Sequence, residues 1–334
     1  MKRKRSFFGV VKGCILLALV VVILYCGLQI LESTVLSTGG EVTDSGTSKT
    51  IVRDGVEYYP RQDIVVMMVL GIDQYGPVES SNYYRNDGAA DSIMLLLFDE
   101  TNETCTVLYL DRDTMLEMEV LGVRGEYAGT TYGQLALAHT YGTGLEDSSL
   151  NMKNTLMNFL PGMTIDHYVT MHMDVIPILN DAVGGVTVNV KDDFSKVNPS
   201  ITMGELKLQG DQVIDFVRTR KDVGDQTNTT RMTRQKEYVD GFLHELKHRE
   251  EENIEFAVEL YDEVAPYIVT DVSVEDFSKI LEHYARYELV EVVVPEGEHK
   301  IVDGHYQCHT DQEKLDALIL RLFYAPKKWY HVEK

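Results

Sequence analysis

The chain has 334 residues, of which 44% are hydrophobic, and its formal net charge at pH 7 is −22. The hydrophobic content is that of a globular protein with a substantial core. So strong a negative charge repels a phosphate backbone, which argues against a nucleic acid as partner. A site for an anionic substrate must therefore be a local cluster of basic side chains.

The first residues of the chain combine basic side chains with a long apolar run. Five basic and no acidic residues lie within residues 1–31, and the apolar run over 15–31 approaches the roughly 20 residues that cross a bilayer. We therefore predict a cytoplasmic basic segment over 1–12 and a transmembrane anchor over 13–31, with everything after about Glu32 outside the cell. The alternative is a cleaved signal peptide, which needs a small-residue cleavage site; Leu28-Gln29-Ile30-Leu31 follows instead.

The remainder divides into a linker and a folded region. Residues 32–50 are rich in Ser, Thr, Gly and acidic side chains, which predicts a flexible linker. We expect one extracytoplasmic domain over 51–334, with a core of motifs at about 64–247 and a C-terminal extension of helices and strands at about 250–334. Only Cys105 and Cys308 lie outside the anchor, so one disulfide can form, and no cysteine spacing is typical of a metal site.

Strands and helices follow one another along the folded region. Apolar or alternating runs predict strands over 64–70, 93–98, 106–110, 165–171, 186–190 and 290–294. Helical spacing predicts helices over 132–141, 150–160, 175–183, 230–247, 254–264, 274–284 and 312–323. Gly184-Gly185 is expected to form the turn between a helix and the next strand. Since the first strands are apolar on both faces, helices must cover both faces of the sheet, and the fold class is α/β.

Polar residues stand where three of these strands begin or end. Asp73 follows the first strand and Asp91 precedes the second, so the two carboxylates could share Mg²⁺, which prefers hard oxygen ligands. Turn or cap aspartates are the alternative interpretation. Arg112 follows the third strand between two aspartates, and taken alone it is best explained by a local ion pair with these neighbours.

A second group of basic residues lies further along the chain. In an extended segment Arg218, Arg220 and Asp222 would share one face, because they alternate. The helix that follows places four residues on one face: Arg231, Arg234, Gln235 and Tyr238. Guanidinium groups bind phosphate oxygens in pairs, so these residues suit a pyrophosphate site. A solvated helix face, paired with acidic neighbours, is the alternative.

The ordered set of segments resembles the LytR-CpsA-Psr family of cell-wall ligases. The segments that carry the resemblance are residues 69–73 (VLGID), 88–95 (GAADSIML), 112–115 (RDTM), 165–168 (IDHY), 184–188 (GGVTV), 217–222 (VRTRKD) and 231–235 (RMTRQ). The chain departs from the family where Ala89-Ala90-Asp91-Ser92 replaces the frequent Arg-Ser-Asp-Thr, and where Asp111 replaces a proline before Arg112. The first change removes one basic residue.

The resemblance implies an α/β/α sandwich with a central mixed sheet and an apolar cavity for a polyprenyl chain. It also implies transfer of a glycopolymer from a polyprenyl-pyrophosphate carrier to peptidoglycan, with Mg²⁺ as cofactor. By the same resemblance, Asp73 and Asp91 hold the metal. The residues expected to bind pyrophosphate are Arg112, Arg218, Arg220, Asp222, Arg231, Arg234 and Gln235, and those expected to be catalytic are Asp91, Arg112 and Arg220.

Three other functions compete with this hypothesis. A binding protein would hold the lipid-linked glycan without transferring it, and a pyrophosphatase would use water as its only acceptor. A membrane-bound transcriptional attenuator is the third, and the acidity and external placement of the domain argue against it.

Overall fold

The computed structural model describes residues 50–219, 221–225, 228–252, 256–273, 283–284 and 287–327. The predicted basic segment, anchor and most of the linker lie outside these residues. Within the described part of the chain, no helix is both long and apolar enough to cross a membrane.

Strands and helices alternate along the described chain. In chain order, the strands are β1 (Ile51–Arg53), β2 (Val56–Pro60), β3 (Ile64–Ile72), β4 (Ala90–Asp99), β5 (Thr104–Leu110), β6 (Met115–Leu121), β7 (Tyr127–Gln134), β8 (His167–His172), β9 (Val186–Val190), β10 (Gly204–Leu208), β11 (Ile268–Thr270), β12 (Glu288–Val293), β13 (Gly297–Val302), β14 (His305–Thr310) and β15 (Tyr324–Pro326). The α-helices are α1 (Glu146–Phe159), α2 (Val175–Ala182), α3 (Gln212–Arg218), α4 (Asn228–Glu252), α5 (Phe256–Val264) and α6 (Gln312–Phe323). Two 3₁₀ helices cover Leu135–Thr140 and Ala265–Tyr267.

A six-stranded mixed sheet, in the order β11-β8-β3-β4-β5-β12, forms the centre of the fold. Strand β4 runs antiparallel to both β3 and β5, whereas β8 is parallel to β3 and β12 is parallel to β5. The end of β3, the start of β4 and the end of β5 therefore lie at the same edge of the sheet. This arrangement brings the residues that flank the three strands to one edge of the sheet.

Both faces of the sheet are buried, which explains why its central strands are apolar throughout. Along β3, Met67 and Val69 pack with residues of α2, α3, α4 and α5. Their neighbours Met68 and Leu70 point to the opposite face and pack with α1, α6 and the first 3₁₀ helix. Successive side chains of a strand point to opposite faces, so two helical layers require apolar residues at every position. The expectation of a mixed α/β fold with a central sheet is confirmed.

Smaller sheets surround this core, and the sequence patterns did not predict most of them. Strands β6 and β7 form one hairpin, β9 and β10 a second and β13 and β14 a third, while β1, β2 and β15 form a three-stranded sheet. Cys105 in β5 and Cys308 in β14 are both buried and both free.

Two local predictions were wrong. The helix predicted over 132–141 is instead the end of β7 followed by the 3₁₀ helix, because Thr131 and Tyr132 pair with β6 and only a short apolar stretch around Leu135 reaches the core. The extended segment predicted from Arg218 is also wrong, since Arg218 is the last residue of helix α3. The helix predicted over 274–284 falls outside the described residues, except for 283 and 284, which are helical.

Candidate active site

Three of the predicted residues meet at the edge where β3 ends and β4 begins. Asp73 follows β3 directly, and its backbone N–H donates to Ala89 O at 3.2 Å. Asp91 is the second residue of β4, so it lies within the strand and not before it as predicted. Arg112 follows β5, whose last residue, Leu110, pairs with Ile93 of β4.

Arg112 and Asp91 form an ion pair at this edge. Nη1 of Arg112 donates to Oδ1 of Asp91, and its Nε lies 3.8 Å from Oδ1 of Asp113. Both side chains are partly exposed, which leaves them accessible to a ligand. The local ion pair expected as the alternative interpretation is therefore present, but its main partner is Asp91 from the neighbouring strand.

Arg218 lies close to both carboxylates of this edge. Its Nη2 lies 3.4 Å from Oδ1 of Asp73 and 3.9 Å from Oδ2 of Asp91. Its Nη1 donates to the hydroxyl of Tyr75 at 3.4 Å. Helix α3 thus supplies a second guanidinium group to the edge of the sheet, and the two arginines and two aspartates form one cluster.

The environment of Asp91 disfavours its charged form. Burial raises the pKa of this carboxyl above its usual range, the charge of Arg112 lowers it, and the nearby charge of Asp73 raises it again. The net direction is upward. Two carboxylates that repel each other at a partly buried edge are a suitable donor set for a divalent cation with a preference for oxygen ligands.

Arg234 is buried, and its side chain contacts the end of α3 on either side of Arg218. Its Nε donates to Phe216 O at 3.0 Å, its Nη2 donates to Thr219 O, and its Nη1 contacts Oδ2 of Asp192 at 2.6 Å. These bonds hold the carboxyl end of α3, the helix that ends at Arg218. Arg234 therefore supports the backbone that carries Arg218, and its predicted role in binding pyrophosphate stays a prediction.

The remaining predicted residues are only partly described. Arg220 lies outside the described residues, and so do the side chains of Arg231 and Gln235, although both residues belong to α4. Asp222 lies in the turn between α3 and α4, with a backbone φ of 62°. The proposed roles of these four residues remain predictions.

Several residues that support the site were not predicted. The loop over 73–89 carries Asp73, and Asn86 anchors this loop: its buried amide donates to His139 O, Gly142 O and Oγ of Ser148, and its Oδ1 accepts from Gly88 N. A buried asparagine in a loop has no distinguishing sequence pattern, so only the tertiary structure identifies it.

His139 supports the same loop. Its Nδ1 lies 2.7 Å from Gly88 O, and because a carbonyl only accepts, Nδ1 carries the proton. Burial lowers the pKa of this imidazole to about 4, so the ring is neutral at physiological pH. Its Nε2 is the one buried side-chain nitrogen or oxygen without a hydrogen-bond partner among the described residues.

A sequence profile of the LytR_cpsA_psr family matches residues 33–323. Two similar curated proteins are named polyisoprenyl-teichoic acid–peptidoglycan teichoic acid transferase TagU. The one from Halalkalibacterium halodurans is 25% identical over 320 residues, which cover 94% of this chain and 95% of the relative. The one from Enterococcus faecalis is 26% identical over 252 residues, which cover 75% of each chain.

Solved structures share the fold. TagV from B. subtilis aligns with a TM-score of 0.54 and 21% identity, over 78% of this chain and 96% of TagV. A structure of TagT bound to LI-WTA aligns with a TM-score of 0.52 and 20% identity, over 78% of this chain and 90% of TagT.

Proposed function

Because the chain belongs to the LytR-CpsA-Psr family, we propose that it is a phosphotransferase that moves a glycopolymer from a polyprenyl-pyrophosphate carrier to peptidoglycan. The convergence of Arg112 and Arg218 with Asp73 and Asp91 is the observation that carries the proposal. Two guanidinium groups beside two carboxylates are suited to an anionic pyrophosphate and its counter-cation. The name of the TagU relatives supports the choice of donor and acceptor classes.

The proposed reaction is a displacement at phosphorus. A hydroxyl of the acceptor sugar attacks the phosphorus atom that is joined to the glycan, and a new P–O bond forms. The bond between this phosphorus and the bridging oxygen breaks, and polyprenyl phosphate leaves with the electron pair. Arg112 and Arg218 stabilise the charge on the phosphate oxygens as this bond breaks, which is the main source of catalysis in such reactions.

The hydroxyl proton needs an acceptor as the new bond forms. Asp91 is the candidate at this site, because burial raises the pKa of its carboxyl and makes it a stronger base than an exposed aspartate. Its partner Arg112 keeps the carboxylate directed toward the edge of the sheet. Asp73 is the alternative acceptor.

Mg²⁺ fits the oxygen donors of this site, and Asp73 and Asp91 would hold it. Bound there, the cation would neutralise charge on the pyrophosphate. The polyprenyl chain is expected in an apolar cavity beside the cluster, and this expectation remains a prediction.

A transfer assay with the full-length chain in detergent tests the proposal. The substrates are a lipid-linked teichoic acid and peptidoglycan oligomers, with and without Mg²⁺, and the product is glycan covalently attached to the oligomer. Arg218→Ala is expected to lower the rate by about 10²- to 10³-fold, the usual cost of removing one group that stabilises transition-state charge.

Arg61→Ala is the matched control. Arg61 pairs with Asp63 and Asp99 at the opposite end of β3 and β4, so its loss removes a comparable ion pair away from the site. The variant should retain the wild-type rate. Binding of the lipid-linked glycan without transfer would support a binding protein instead, and release of phosphate with water as the only acceptor would support a pyrophosphatase.

A further inference from the structure

The C-terminal hairpin lies against the loop that carries Arg112. The backbone N–H of Cys308, in β14, donates to Asp113 O at 2.8 Å, and Thr114 and Cys308 form an isolated parallel bridge. The side-chain amide of Gln134 contacts both Oδ1 of Asp113 and Tyr306 O. The hairpin and the loop therefore form one continuous structure next to the proposed active site.

Three potential metal ligands meet at this contact. His299 of β13 and Cys308 of β14 are directly opposite each other in the hairpin register. Side chains of such cross-strand pairs point to the same side of the hairpin. On that side lies Asp111, whose Oδ2 is 2.8 Å from Nε2 of His299. One ligand atom from each of the three residues lies within 4.8 Å of the other two.

We propose that Asp111, His299 and Cys308 form a binding site for a zinc-class divalent cation. Thiolate, imidazole and carboxylate are the ligands that Zn²⁺ prefers, and four-coordinate zinc commonly takes three protein ligands and one water molecule. A thiolate is a poor ligand for Mg²⁺, so the site is chemically distinct from the Asp73–Asp91 pair. The proposal does not depend on the proposed function.

The shape of the hairpin supports this assignment. A Cβ atom at Gly297 would lie 2.8 Å from Sγ of Cys308 and 2.8 Å from His309 O. A side chain at residue 297 would crowd the thiol, so the backbone of Gly297 packs directly against the sulfur atom. His299 is partly exposed, with 41% of its side chain accessible, which gives a cation a path from solvent.

The charges of the site are consistent with a divalent cation. Zinc binds the thiolate form of cysteine, so ligation by Cys308 releases one proton. The resulting thiolate and the Asp111 carboxylate together balance two positive charges.

Occupancy would stabilise the loop that carries Arg112. The cation would join β13, β14 and residue 111 by three bonds, immediately before Arg112 in the sequence. We therefore expect a cross-link between the C-terminal extension and the active-site edge of the sheet.

Cobalt substitution tests the site, because Co²⁺ replaces Zn²⁺ and has a visible spectrum. Full-length protein in detergent is stripped with a chelator and titrated with Co²⁺. We expect a thiolate-to-cobalt charge-transfer band and the intense visible bands of four-coordinate cobalt, both removed by added Zn²⁺ and retained in excess Mg²⁺. Cys308→Ser should lose the charge-transfer band. Loss of a residue that only hydrogen-bonds to a metal ligand weakens metal affinity about 10- to 100-fold. Asp111→Asn and His299→Gln remove ligands themselves, so each should weaken Co²⁺ binding by at least this factor.

His305→Gln is the matched control, because this exposed histidine lies in the same hairpin and is paired with Val302. It should bind Co²⁺ like the wild type. A charge-transfer band that persists in Cys308→Ser, or no band at any Co²⁺ concentration, overturns the proposal.

A second measurement needs no variant. The rate at which iodoacetamide alkylates Cys308 in the unmodified protein is followed by mass spectrometry of the peptide that contains it. Zn²⁺ should slow this alkylation at least about tenfold, whereas Mg²⁺ should not. An alkylation rate that is the same with and without Zn²⁺ contradicts the site.

Discussion

At the scale of single residues, the candidate active site depends on charges held close together at a partly buried edge. Asp91 has lost part of its hydration and lies near Asp73, and both effects oppose its ionisation. Arg112 and Arg218 offset this cost only in part, because the pKa of Asp91 remains raised. Such unfavourable arrangements are typical of functional sites, where they prepare groups for a ligand.

The raised pKa of Asp91 predicts a pH-dependent effect on stability. Because the folded state binds this proton at a higher pH than the unfolded state, stability falls as pH rises from the ordinary carboxyl range through the raised value. Asp91→Asn removes this contribution. The stability of the variant relative to wild type should therefore increase with pH across that window and then level off, as measured by urea unfolding at a series of pH values.

A second substitution tests the cause of the shift. Asp73→Asn removes the neighbouring negative charge, so the pKa of Asp91 in the folded state should fall and the upper limit of the window should move to lower pH. A relative stability of Asp91→Asn that is flat or decreases with pH would contradict the interpretation.

At the scale of elements, a turn of two glycines connects helix α2 to the hairpin formed by β9 and β10. Gly184 and Gly185 connect α2 to β9 with backbone φ angles of 86° and 88°, which confirms the predicted turn. Asn180 of α2 stabilises this turn with two hydrogen bonds. Its backbone O accepts from Gly185 N at 2.8 Å, and its side-chain Oδ1 accepts from Val186 N at 3.3 Å. The left-handed backbone allows the chain to reverse within two residues.

Substitution of Gly185 separates the cost of conformation from the cost of crowding. A Cβ atom at Gly185 would lie 2.6 Å from Leu208 O. Gly55 also has a left-handed backbone, with φ of 76°, but a Cβ atom there would have no other atom within 4 Å. Gly55→Ala should cost about 1–2 kcal/mol for the left-handed backbone alone. Gly185→Ala should cost about 1–3 kcal/mol more, because the backbone carbonyl must move.

The free energy of unfolding of the two variants, measured under the same conditions, decides between these effects. Equal destabilisation by Gly55→Ala and Gly185→Ala would show that crowding at Leu208 is relieved without cost.

At the scale of the whole molecule, the distribution of charge suggests a division between membrane and exterior. The five basic residues near the start of the chain lie beside an apolar run, while the rest of the chain is strongly acidic. We propose that the run anchors the protein in the cell membrane, with its N-terminus in the cytoplasm and its C-terminal domain outside. This placement would bring the cluster of arginines and aspartates to a lipid-linked donor.

Fractionation of cells that produce the full chain tests this placement. The protein should sediment with membranes and resist extraction by high salt, because an apolar segment and not surface charge holds it there. Protease added to intact cells without a wall should degrade the C-terminal domain. A full-length chain that remains in the soluble fraction would exclude an anchor.

Local sequence patterns were sufficient for most strands of the central sheet, although not for its edge strand β11, and for one side of the site. The apolar runs predicted β3, β4 and β5, because burial on both faces leaves a continuous hydrophobic signature. Asp73 and Arg112 were found because they directly follow such strands. The ordered motifs also identified the family, whose sequence profile matches residues 33–323.

Only the tertiary structure decided which distant groups meet. Arg218 and Asp73 are 145 residues apart, and His299 and Asp111 are 188 residues apart. The same basic pattern placed Arg218 and Arg234 in one predicted site, but it did not show that Arg234 is buried and bonded to the backbone on either side of Arg218, at Phe216 O and Thr219 O. Periodicity records whether a side chain is buried, because burial selects for apolar residues. It does not record the partner, which depends on how strands and helices from the whole chain pack against one another.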